Sequence, residues 1–492
     1  MKKRNEIRNK TEKGLKRVIL SVLCMVVFIM AGVLAFEKYQ EAPRDEIDKT
    51  MQKYAPTGAS IAIIEHGEIK EIRNYGYADK EAKKPVTDQT RFKIASVSKT
   101  VTAYGVMQLV EQGKLDLDVS VNQYLTRWKI PESAYGEDNV TLRMLLAHTA
   151  GLTGSDEYGY TEPLPGIDEA LRIKDVKLKR EPGTQFEYSE FTGYGICQLV
   201  IEEVTGMPFE EYMVTQIFEP LGMAYTDYAN ESNEKGELAI PYAGMGKATE
   251  VVPIVMNGAG GVTTTAHDLA VFELALMQYY ETGCGEMFTE QEHAQSSGGN
   301  YALGIIPRYL SDGRIVYEHN GTLTGWNAQL VIEPVSGNGI AVVSNSDKAY
   351  YMTYELMEVW SQMVLGERVS DPLMYQMNKI FSMVKMVLLV FVLFFGVVFI
   401  KNVLNYCYKW KISYIKTGIS ILVFFLIVIL DGMLFYTDLL GKQLWGMDNY
   451  YLFTFFPLDF LYIQIEAGLL LLLFFVRLNL KKGTKGYGNS NS

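Results

Sequence analysis

Phe92-Lys-Ile-Ala-Ser96-Val-Ser-Lys99-Thr-Val-Thr-Ala-Tyr-Gly-Val-Met-Gln-Leu-Val-Glu-Gln112 reads as an extended segment that runs straight into a helix. Val97, Val101, Val106, Leu109 and Val110 recur in an amphipathic helical pattern, and Gly113 stops it. Upstream, residues 60–64 and 68–77 flank a His66-Gly67 turn and predict a hairpin. Downstream, helical patterns at 142–147, 192–204, 208–218 and 266–280 precede strand patterns at 301–306, 314–318, 328–333 and 339–344. A last helix is expected over 349–365. Early strands, a helical middle and late strands predict an α+β fold: an antiparallel sheet completed by both ends of the domain, flanked by helices and interrupted by a helical subdomain.

The apolar residues are unevenly placed. A mean hydropathy of +0.03 is high for a chain with 21% charged residues, so the excess must be concentrated somewhere. Residues 1–17 are basic, and 18–36 carry no charge, which suits a signal-anchor; a cleaved signal peptide is the alternative. Three further apolar runs lie at 381–400, 417–436 and 456–476. Lys401, Lys409, Lys411 and Lys416 follow the first run, acidic residues surround the loop after the second, and Arg477, Lys481, Lys482 and Lys485 follow the third. This alternation fits the positive-inside rule. It predicts a domain at 37–378 outside the cytoplasmic membrane, three transmembrane helices within 379–478, and a cytoplasmic tail at 479–492. Asp459 and Glu466 share a helix face, where pairing with Lys385 or facing the outer headgroups is expected ahead of a functional role. A net charge of −11 argues against a nucleic-acid partner. The four Cys and five His show no metal-ligand spacing, so no metal site and no cofactor is expected.

Three short stretches carry chemistry. In Ser96-Val-Ser-Lys99, helical spacing brings the amine to the Ser96 hydroxyl, where it can assist alkoxide formation. Roughly two S-x-x-K matches arise by chance in a chain of this length, and four occur: at Ser96, Ser232, Ser382 and Ser413. Only Ser96 opens a buried helix directly after a strand, where free N–H groups can stabilise an oxyanion. Tyr188, after the Pro182-Gly183 turn, is a candidate general base if cations such as Lys99 depress its pKa. Glu318-His319-Asn-Gly321-Thr322 ends a strand, where Gly321 on an edge lets a substrate backbone approach and the Thr322 N–H can join an oxyanion pair.

In this order the three stretches resemble the serine β-lactamase and penicillin-binding protein superfamily, in its class C-like branch, over roughly residues 45–365. Supporting stretches are Leu145-Leu-Ala-His148-Thr-Ala-Gly151-Leu152, Pro220-Leu-Gly-Met223 and Gly258-Ala-Gly-Gly261-Val262. The resemblance implies Ser96 as acylated nucleophile, Lys99 as activating amine and Tyr188 as proton shuttle. It also implies an oxyanion hole from the Ser96 and Thr322 amides, with His319 where many relatives carry Lys. Glu190 stands where relatives usually have Asn; a carboxylate only accepts, so it disfavours an anionic substrate group and suits an ammonium, the alternative being that it turns away and pairs with a surface cation. Asn257, Trp326 and Asn327 are further substrate-contact candidates.

Export segment, hydrolase domain and C-terminal helices together resemble membrane-bound peptidases that mature prodrugs, of the colibactin-maturing type. The expected activity is therefore that of an extracytoplasmic serine peptidase or amidohydrolase acting on a peptide or small molecule that contains a D-amino acid. The enzyme alternatives are a DD-peptidase, an esterase and a β-lactamase; the non-enzyme alternative is an acylation-based sensor. Nothing in the sequence fixes an oligomeric state.

Overall fold

The computed structural model describes residues 43–405 except 155–156, 158–159, 244–245, 283–284, 297–298 and 347, together with 408–410, 422, 426, 429, 458–478 and 480–482. The expected segments at 1–36 and 483–492, and nearly all of 417–436, lie outside the described residues. Two compact units form, one from residues 50–379 and one that includes 380–405 and 459–478.

The larger unit holds the sheet. After α1 (Glu46–Tyr54) come β1 (Gly58–Glu65), β2 (Glu68–Asp79), β3 (Lys84–Pro85) and β4 (Phe92–Lys93). The helical middle contains α2 (Val97–Glu111), α3 (Leu142–Leu146), α4 (Thr192–Thr205) and α5 (Asn257–Gly260). Then follow β5 (Thr263–Thr264), α6 (Ala266–Thr282), β6 (Ile306–Tyr309), β7 (Ile315–Leu323), β8 (Trp326–Glu333), β9 (Asn338–Ser344) and α7 (Ala349–Val364). Seven strands form one sheet in the order β6-β7-β8-β9-β1-β2-β3, every pair antiparallel. The early strand β1 pairs with the late strand β9, Ile61 opposite Val342, so both ends of the domain complete the sheet.

Every residue of β8 and β9 is buried, which requires cover on both faces of the sheet centre. Helices α6 and α7 both pack on these strands. The expected strand at 301–306 starts only at Ile306, because Gly304 has a φ of 78° and breaks the extended path. Tyr301, three residues earlier, is instead buried against the rings of His148, Phe186 and His319.

Helix α2 departs from the expected amphipathic pattern: it is buried almost all round. It lies between the sheet and the helical subdomain, against α4, α5, β7 and β8. Its polar side chains are therefore satisfied by loops. Thr100 Oγ1 donates to the Gly304 carbonyl at 2.6 Å, and Thr102 Oγ1 to the Gly258 carbonyl at 2.8 Å. Ser98 Oγ accepts from the Val262 N–H at 3.1 Å. These bonds fasten the Gly258–Val262 stretch to the helix that carries Ser96, since buried polar groups seek partners.

Beyond the sheet, α8 (Pro372–Asn405) contains Pro372–Ile400, the one helix among the described residues long and apolar enough, by length and composition, to cross a membrane. Helix α9 (Leu458–Leu478) carries Asp459, Glu466 and Arg477, leaving the shorter apolar stretch Tyr462–Leu471. Multiple membrane segments are thus not supported by the described helices. Asp459 does pair with Lys385, at 2.5 Å.

Candidate active site

Strand β4 pairs with β5, Lys93 opposite Thr263, and hands the chain to α2 through Ala95. Ala95 has a φ of 49°, a left-handed conformation that a β-carbon makes costly and that clusters at functional sites. Ser96 follows at the N-cap of α2 with no capping bond from its side chain. Its hydroxyl is thus not engaged by the helix it opens, unlike an ordinary N-cap serine.

Two side chains meet that hydroxyl. Lys99 Nζ lies 3.1 Å from Ser96 Oγ and also donates to the Ala259 carbonyl at 3.0 Å. The Tyr188 phenol lies close enough to the Ser96 side chain to be influenced by it, and the Lys99 amine stands 5.1 Å from the Tyr188 ring centre. Burial lowers the Lys99 pKa from 10.5 to about 7, with the Glu190 charge opposing the shift. Tyr188 moves the other way from the expectation. Loss of water around its hydroxyl raises its pKa although 38% of the residue is exposed, the neighbouring Ser96 side chain opposes this, and Glu190 raises it further. The reason is that Lys99 is itself driven towards neutrality and cannot supply a full positive charge to depress the phenol.

On the other side of Ser96 runs β7. A β-carbon on Gly321 would stand 2.0 Å from the Ile94 carbonyl oxygen and 3.1 Å from the Ser96 nitrogen. This glycine therefore admits the protein's own backbone, where a substrate backbone was expected, and it sets residues 321–322 against the Ser96 amide. Beta-strand β6 pairs only with 315–318, so 319–323 form a locally free edge although β7 is internal to the sheet.

His319 is buried, and both ring nitrogens are used within the protein. Nδ1–H donates to the Asn320 carbonyl at 2.7 Å, so Nε2 accepts from the Tyr301 hydroxyl at 2.7 Å. Burial, reinforced by Lys99, lowers its pKa to about 3. His319 lines the cleft as a neutral ring, with no nitrogen left over for a substrate anion. Asn257 and Asn327 do not line the cleft. Asn257 Nδ2 donates to Glu210 at 2.7 Å; Asn327 is fully buried, donating to the Ser346 carbonyl at 2.7 Å and accepting from Thr322 Oγ1 at 2.9 Å. Trp326 lines the cleft and packs edge-on against Phe92.

The cleft has a volume of about 390 Å³, enough for a small ligand. Ser96, Tyr188, Glu190 and Thr322 line it, as do Lys93 and Glu157, which sequence reasoning missed. Glu157 sits in irregular chain and is placed by accepting the Val255 N–H at 2.7 Å, a contact no local pattern announces. Lys93 is the only cation among the described lining residues. Its buried amine faces the Gly261 carbonyl at 3.3 Å, and desolvation lowers its pKa to about 7. Glu190 is exposed and makes no ion pair among the described residues. Two carboxylates therefore face a cleft with no exposed cation among its described residues.

A family model described as "Beta-lactamase" matches residues 44–358. The chain belongs to the beta-lactamase family, whose members are serine hydrolases. The putative penicillin-binding protein PbpX of Bacillus subtilis is 30% identical over 318 residues, 62% of this chain and 74% of that relative. Protein flp of Staphylococcus aureus is 26% identical over 321 residues; the alignment spans 62% of this chain and 62% of flp, less than two thirds of its length. The D-amino acid amidase of Ochrobactrum anthropi, solved with D-phenylalanine, shares the fold, with a TM-score of 0.53 and 24% identity over 65% of this chain and 98% of the amidase. Beta-lactamase family membership thus agrees with the α+β architecture and with the chain order of the three stretches.

Proposed function

We propose that this beta-lactamase family protein is a membrane-anchored, extracytoplasmic serine peptidase or amidohydrolase that forms an acyl-enzyme at Ser96 and cleaves D-amino-acid amide bonds. The observation that carries the chemistry is the buried Lys99 amine 3.1 Å from Ser96 Oγ with its pKa lowered to about 7. A neutral amine takes the hydroxyl proton as Oγ attacks the substrate carbonyl. The Ser96 and Thr322 amides hold the developing oxyanion, as preorganised donors do. Tyr188, protonated at rest, delivers its proton to the leaving amine, and the transient phenolate is reprotonated by the Lys99 ammonium formed in the first step. Water then releases the acyl group by the reverse path. Residues 18–36 and the Pro372–Ile400 helix anchor the catalytic domain at the outer face of the cytoplasmic membrane, as in prodrug-maturing peptidases; the length and apolar composition of that helix support the anchoring.

Intact-mass spectrometry with a serine-reactive fluorophosphonate tests the acyl-enzyme. One adduct is expected on the wild type and on Ser232→Ala, and none on Ser96→Ala; an unlabelled wild type removes the assignment.

The substrate class rests on Glu190, whose exposed carboxylate, in a cleft without an exposed cation among the described residues, suits the ammonium of a D-amino acid. Glu190→Asn is expected to shift the ratio of penicillin acylation to D-aminoacyl amide cleavage about tenfold towards penicillin, the equivalent of roughly 1.4 kcal/mol of lost ion pairing. Measured kcat/KM values give that ratio, and an unchanged ratio leaves Glu190 no role in ammonium binding. A DD-peptidase is the second reading, favoured by the likeness to PbpX.

A further inference from the structure

The Leu145–Leu152 stretch takes no part in the acylation steps above, yet it reaches the phenol. After α3, His148 adopts a φ of 59°, unfavourable for any residue with a β-carbon. Two bonds show what that backbone achieves. The His148 carbonyl accepts the Glu187 N–H at 2.9 Å, and its Nδ1 accepts the Ser189 N–H at 3.0 Å. The amides on both sides of Tyr188 therefore end on one residue. The imidazole also lies against the Tyr188 ring, with centroids 4.3 Å apart and planes tilted by 36°. Neighbouring bonds extend the platform: the Gly183 N–H reaches the Thr149 carbonyl at 2.8 Å, and the Lys179 N–H reaches the Gly151 carbonyl at 2.9 Å.

An Nδ1 that accepts a backbone N–H fixes the neutral tautomer with its hydrogen on Nε2. That Nε2 is buried and has no hydrogen-bond partner among the described residues, a cost that a Leu or Phe would avoid. What neither could supply is the acceptor for Ser189. Burial, with the nearby Lys99 amine, keeps His148 well below the ordinary imidazole range, so the acceptor persists through neutral pH.

We propose that His148 is a positioning residue: by accepting the Ser189 N–H at Nδ1 it holds the segment that carries Tyr188 so that the phenol faces the Ser96 side of the cleft. This rests on the acyl-enzyme reading of Ser96. The test uses the full-length chain and kcat/KM for cleavage of a D-aminoacyl anilide, whose leaving amine needs the Tyr188 proton, read separately from fluorophosphonate labelling of Ser96. His148→Asn places an oxygen where Nδ1 stands; His148→Gln places one nearer Nε2. The Asn variant is expected to stay within about threefold of wild type and the Gln variant to fall at least about thirtyfold, as loss of an aligned proton-transfer partner predicts. In a Tyr188→Phe background the Asn–Gln gap should vanish, because coupled residues are non-additive. Equal Asn and Gln rates with a labelled wild type, or a gap that survives Tyr188→Phe, overturns the positioning role. Failure of the acyl-enzyme reading shows separately, as a wild type without the Ser96 adduct.

Discussion

Replacing Lys99 by Met should slow fluorophosphonate addition to Ser96 by about 10²- to 10⁴-fold, the range for removing a positioned general base. Met matches the length and apolar stem of Lys in a fully buried site, so the change removes the amine with little else. Lys99→Arg should not rescue, because a guanidinium does not deprotonate and its planar fork does not fit a point contact at 3.1 Å. The same assignment fixes a pH profile. Only the neutral amine accepts a proton, and the Lys99 pKa is lowered to about 7. Wild-type acylation should therefore rise about tenfold per unit up to near pH 7 and level off above it. The Tyr188 phenol, shifted upward, stays protonated across this range. A flat profile from pH 5 to 9 would transfer the base role away from Lys99.

Gly321→Ala should be nearly as damaging. The added methyl meets the Ile94 carbonyl oxygen at 2.0 Å, and its neighbours are backbone atoms that no rotamer change can move. Strand β7 must shift away from residues 94–96, carrying the Thr322 amide with it. Loss of one oxyanion donor typically reduces rate by about 10²- to 10³-fold, and forced overpacking costs about 1–3 kcal/mol. Fluorophosphonate kinetics and a thermal melt measure the two effects. Gly285→Ala is the control, since a β-carbon there meets nothing within 4 Å and the change should stay within about 0.5 kcal/mol. If Gly321→Ala reacts like the control, the close approach has no bearing on Ser96.

The strands at 58–65 and 68–79 and the helices at 192–205 and 266–282 were legible because their patterns are local: apolar alternation, helical spacing and a His66-Gly67 turn. The strand expected from residue 301 was not, because Gly304 adopts its left-handed φ against packing that places its Cα beside Ala103 and the Lys99 carbonyl. Within the site, Ser96 and Lys99 were legible since one helical turn sets their spacing. Glu157 and Tyr301 were not; their positions depend on Val255 and His319, far along the chain.

The order Ser96, Lys99, Tyr188, His319, Gly321 is written in the sequence, together with the α+β succession and the family it belongs to. What the sequence could not state is the protonation of these groups, because that depends on how much water each loses when distant segments close over it. Burial makes Lys99 a candidate base and leaves His319 neutral with both nitrogens occupied, while local loss of water at its hydroxyl keeps the partly exposed Tyr188 phenol protonated. Solvation is a property of the assembled cleft, and only the tertiary structure decides it.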